Sequence, residues 1–144
     1  MTFFGNKKKS EGVRQTQVQV PKKDALRDLV PNDEKMYIAL QTFLLGDPER
    51  QLPMLGSVDS LLTRGDEDKA EGNMWKARIN YETAAKIEIY KNNKEDAGKF
   101  LRLAEGLTEN NEANRAMLGT LLENMDRVME ISKLYYAPLA HQKK

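Results

Sequence analysis

Cysteine is absent from this 144-residue chain, and histidine occurs once, as His141. The first absence excludes structural disulfides, thiolate catalysis and cysteine-ligated zinc. The second excludes a histidine-based triad and a histidine-rich metal site, because His141 stands three residues from the basic end and reads as a tail residue. No apolar run approaches the roughly 18–20 residues that span a bilayer. The segment MTFFGNKKKS carries no apolar core of a secretory signal, and Thr2 does not fit a myristoylation pattern. A cytoplasmic protein with no membrane span is expected. The glycines are dispersed, so no phosphate-cradling loop is visible. Asp66, Glu67, Asp68 and Glu71 cluster, but without the glycine and distal glutamate of a calcium-binding loop. No cofactor and no catalytic residue is expected, and the chain reads as a non-enzyme.

Charge is present but unevenly placed. The net charge of +1 combines an arm of +5 over residues 1–23 with −4 over the remainder. Lys7, Lys8, Lys9, Arg14, Lys22 and Lys23 face only Glu11 in that arm. Such an arm is either a solubilising tail or a device that docks on an acidic protein, a membrane surface or nucleic acid. Phe3 and Phe4 beside it could stack on bases, and the attraction would be salt-sensitive. Gln15 to Val20 alternates polar and apolar residues, the period of a half-buried strand. Alone, such a strand has no ladder partner. Residues 1–31 are therefore expected to form a flexible basic arm bounded by Pro31, with Asp24 to Val30 able to form a helical turn.

From residue 32 to 137 the pattern is helical. A first helix is predicted over Asp33 to Leu45, capped by Asn32, with Met36, Leu40, Phe43 and Leu44 on one face. Gly46 and Pro48 offer a stop. Gly46 to Gly56 then reads as a loop whose Leu52, Met54 and Leu55 pack down. A second helix is predicted from Ser57, its cap, to about Glu71. Gly72 ends it, and Asn73 opens a third helix over Met74 to Tyr90. A fourth covers about Lys94 to Leu107. One long helix is expected over Glu112 to Tyr135, with Pro138 as terminator and residues 138–144 as a frayed tail. The fold class is all-α, with antiparallel hairpins implied by the short connections.

One stretch is more specific. Leu61, Gly65, Gly72, Ala77, Tyr81 and Ala84 fall at the spacing of two helices packed tightly together. A glycine or alanine at the crossing removes the side chain that holds two backbones apart. This pattern resembles a tetratricopeptide repeat. Arg64, Asp68 and the missing proline after Ala84 depart from that family's pattern. A second, weaker match begins at Phe100 and runs through Leu103, Ala104, Leu107, Asn111 and Ala116. It breaks at Thr120 and Glu123, which stand where Tyr81 and Ala84 stood. The resemblance covers about residues 57–123.

A tetratricopeptide-like hairpin implies a groove lined by its first helix. Carried over by position, that face holds Asp59, Leu62, Asp66, Lys69 and Ala70. The implied function is a small adaptor that binds a protein partner, with a basic or extended segment suited to Asp59 and Asp66. Trp75, just after the turn, either caps the packing between hairpins or stands exposed as a contact residue. Two alternatives remain open at this point. One is a homo-oligomer joined through Leu118, Leu121, Met125 and Val128. The other is an accessory protein that binds nucleic acid through its arm.

Overall fold

A computed structural model describes residues 24–142. Asp24 opens the described chain as a helix cap: its carboxylate accepts from the Arg27 amide at 3.2 Å. Helix α1, Ala25–Leu29, is only five residues long, yet Leu26 and Val30 are buried. The helical body therefore takes in residues 24–30, which the sequence pattern assigns to the arm. The arm's remaining residues, 1–23, lie outside the described part.

Helix α2 spans Glu34–Phe43 and buries Met36, Ala39, Leu40 and Phe43. Its cap is Asp33, which accepts from the Met36 amide at 3.1 Å, and not the neighbouring Asn32. An aspartate at this position adds a negative charge at the helix's positive end. The expected loop after it is instead helix α3, Pro48–Leu55, opened by Asp47. Pro48 occupies the first turn, where a missing N–H costs nothing. Helix α4 follows over Val58–Ala70, with Ser57 accepting from the Ser60 amide at 3.0 Å.

Helix α5, Met74–Tyr90, and helix α6, Lys94–Glu105, come next. Two matched reversals separate α4, α5 and α6. Gly72 has φ +82° and Asn92 has φ +63°, the left-handed region. After each, the next amide reaches back five residues: Asn73 to the Asp68 carbonyl at 2.8 Å, Asn93 to the Glu88 carbonyl at 2.9 Å. Helix ends closed this way satisfy carbonyls that would otherwise be orphaned. They fold α4 and α6 back along α5, which becomes the central helix of the three.

Helix α7 spans Glu112–Glu123 and helix α8 spans Met125–Gln142. The single long helix expected here is thus two, broken at Asn124. Pro138 lies inside α8 and does not end it, so residues 138–142 continue the helix that the sequence left as a frayed tail. Helix α7 packs on α6 and α2, while α8 returns across α5, α1 and α6. Among the described residues all regular structure is α-helical, and no helix is long and apolar enough to cross a membrane.

The core fills the space between these helices. Tyr81, Phe43, Met36, Leu40, Ile89 and Leu101 are its largest fully buried members. Leu118, Leu121 and Val128 are 0 % exposed and Met125 is 9 % exposed. These are the four residues proposed from sequence as a self-association seam. They are committed to the interior of one chain and leave no such seam on its surface.

Two carboxylates fasten the outer helices to α2. The Asp24 carboxylate accepts from the Tyr37 hydroxyl, and that bond, with the Arg27 amide, holds its pKa below 3.8. Asp33 is held low by Arg127 of α8 at 2.6 Å and by the Met36 amide. Folded values below the unfolded ones mean that both groups stabilise the fold above the ordinary carboxylate range. That contribution is lost as pH falls through the lowered values. Amide exchange at Leu26 and Val30 should therefore accelerate, relative to α5, as pH falls through and below the ordinary carboxylate range. Equal acid sensitivity of α1 and α5 would refute this fastening role.

Candidate partner-binding surface

The sequence-derived face lies along α4, and the structure places its members unequally. Asp59, Asp66, Lys69 and Ala70 are exposed. Leu62 is half-buried and packs against the core. Five carboxylates stand against Arg64 and Lys69 between residues 58 and 71. Three of the four net negative charges of residues 24–144 thus fall on this one helix and its cap.

The hairpin beneath that face is locked by one close approach. A Cβ added to Gly65 would stand 2.6 Å from Tyr81 Cε1. The glycine therefore admits the Tyr81 ring directly against the α4 backbone. The ring's hydroxyl donates to Asp66 Oδ1 at 2.5 Å. Desolvation first, then this acceptor, pushes the Tyr81 pKa up to about 12. One turn on, Asn80 Nδ2 donates to Asp68 Oδ2 at 2.9 Å. Asp66 and Asp68 are thus partly engaged by α5, whereas Asp59 at the other end of α4 is exposed to solvent.

Lys69 carries this face over into a depression at the α4–α5 turn. It is lined by Lys69, Met74, Trp75, Arg78 and Leu107 among others, and holds about 340 Å³. Trp75 is 59 % exposed and Met74 is 42 % exposed. The sequence reading of Trp75 as a buried cap between hairpins is not met: the side chain is exposed. It stands in the first turn of α5, directly after the Gly72–Asn73 reversal. The indole lies 5.9 Å from Lys76 Nζ, a cation against an aromatic face.

A second concavity lies between α2 and α7, and sequence reasoning missed it. Ile38, Ala39, Ala116, Met117, Gly119 and Thr120 line a groove of about 520 Å³. Thr120 lines it, and its hydroxyl donates to the Ala116 carbonyl at 2.9 Å. No local signal marks the groove, because α2 and α7 are distant in sequence.

Among the described residues Glu82 and Glu88 are the buried carboxylates. Six residues apart on α5, they fall on different faces of that helix. Glu82 is taken by Arg78 at 2.5 Å. It also lies near Lys86, whose pKa is lowered by burial and partly restored by Glu82.

Comparison with protein families, with curated proteins and with solved structures finds no match.

Proposed function

We propose that this chain is a non-catalytic helical scaffold that holds a protein partner along α4 and in the adjoining Trp75 depression. One observation carries the reading. A tryptophan 59 % exposed on a helix end, beside an exposed methionine and a depression, is the composition of a binding hot spot. The acidic α4 face beside it adds electrostatic preference for a partner segment that is basic. The tetratricopeptide-like arrangement is supported by the Gly65–Tyr81 approach and by the matched reversals at Gly72 and Asn92. We place this scaffold in the cytoplasm on the strength of its cysteine-free composition.

Trp75 tests the proposal because it contributes little to the fold. Trp75→Ala should weaken retention of the partner from a cell extract by at least about tenfold, with an unchanged melting curve. Asp59→Lys should weaken it further at low salt and little at high salt, since an exposed charge is screened. A photo-crosslinker at position 75 identifies the partner recovered. Undiminished retention by Trp75→Ala would remove this surface as the site.

A further inference from the structure

Ser132 of α8 is 2 % exposed, yet among the described residues nothing hydrogen-bonds its hydroxyl. The hydroxyls of Thr83, Thr108 and Thr120 each donate to a backbone carbonyl three or four residues back. Thr108 is as deeply buried as Ser132, and it is satisfied. A buried donor without a partner is costly, and in a native fold it calls for a physical reason. Ser132 lines a depression of about 230 Å³ where the end of α5 meets α8. That depression shares no lining residue with the Trp75 surface or with the α2–α7 groove. We propose that it binds a small aromatic carboxylate, a single ring with one acidic substituent, to which Ser132 donates.

Size sets the first limit. A void of about 150 Å³ already admits a benzene ring. The depression exceeds that by room for one short substituent, and it is smaller than the pockets that take drug-sized molecules.

The walls set the second. Tyr90 of α5 and Tyr136 of α8 meet edge to face, with ring centroids 5.0 Å apart and planes at 86°. The Tyr136 hydroxyl donates to the Leu45 carbonyl at 2.9 Å, and the Tyr135 ring packs against it at 5.1 Å. The Tyr136 ring is thereby held in place. Ile89 and Ala137 complete the apolar lining. Two rings held at right angles accommodate a third in the offset or edge-to-face geometry that aromatic pairs prefer.

Charge sets the third. Lys133 is exposed and forms no ion pair among the described residues, and no carboxylate lines the depression. Asn92, held in the left-handed region at the turn, brings a side-chain amide to the rim. The last carbonyls of α5 are taken by the amides of Lys91, Asn92 and Asn93, so that helix end presents little free negative charge. Ser132, Lys133, Tyr136 and Ala137 are neighbours within one turn of α8. One helix therefore brings a hydroxyl, a cation and a ring to the same small space.

Benzoate is the probe. Titrated into the full chain, it should shift the amide resonances of Asn92, Ser132 and Ala137 with a single Kd of about 1 mM. Benzamide lacks the charge and cyclohexanecarboxylate lacks the aromatic ring, and each should bind at least about threefold more weakly. Ala137→Phe, at an exposed position, should fill the depression and abolish the shifts. Lys133→Glu should abolish those from benzoate and spare those from benzamide, which keeps the test decisive if Ala137→Phe disturbs α8. Ser132→Ala should weaken benzoate about three- to tenfold. Without benzoate the same variant should melt higher than the parent, because it removes the unpaired donor. A lower midpoint would show a hydroxyl already satisfied and would overturn the proposal. So would benzoate shifts that persist in Ala137→Phe, or that fail to appear at these three residues by about 10 mM, tenfold above the expected Kd.

Discussion

Tyr81→Ala should lower the unfolding free energy by about 3–5 kcal/mol, the cost of deleting a large buried ring. In a domain of this size that corresponds to a fall in Tm of about 10 °C or more. Two further variants separate the ring's contributions. Tyr81→Phe keeps the ring and removes only its hydrogen bond to Asp66, a loss of about 1–2 kcal/mol. Gly65→Ala places a Cβ 2.6 Å from a ring carbon that cannot swing away, and should cost about 1–3 kcal/mol by overpacking. In the Gly65→Ala/Tyr81→Ala double variant the ring is gone, so the alanine should cost almost nothing further. Denaturant melts of the four proteins give the coupling. Additive losses would show that the two residues do not share one contact.

The second large effect concerns the last two helices. Leu121→Ala should cost about 2–5 kcal/mol, because Leu121 is wholly buried against its neighbours in one chain. The melting midpoint of the variant, and of the parent, should not move with protein concentration on account of this residue. Mass action requires a concentration dependence if a leucine seam joined two chains. A midpoint that rises with concentration in the parent and not in Leu121→Ala would restore the oligomer reading.

Where local rules act alone, the fold is legible from sequence. Met74 to Tyr90 carries a reversal signal at each end, and the structure keeps both boundaries. Gly72 is in the left-handed region, and Ser57 caps α4. Legibility fails where one signal has two meanings. Pro48 after Gly46 reads as the stop of one helix, but it equally suits the first turn of the next, and Asp47 decides for the latter. Pro138 reads as a terminator, yet α8 passes through it. The α4 face is what the tetratricopeptide resemblance implies, and four of its five residues are exposed. The α2–α7 groove needs the pairing of helices distant in sequence. No local pattern announces that Ile38 will stand beside Ala116.

The break at Asn124 has a consequence for the core. Its amide donates to the Leu121 carbonyl at 3.1 Å and its side chain to the Thr120 carbonyl at 2.8 Å, closing α7. Its own carbonyl then receives the Val128 amide at 2.8 Å and starts α8. One residue thus both ends a helix and begins the next, with φ −132° between them. Were Asn124 to adopt helical geometry, α7 and α8 would fuse into a rod of about 46 Å. Val128, Met129 and Ile131 would then leave the core of their own chain. The direction of a single peptide thus keeps these side chains in their own core.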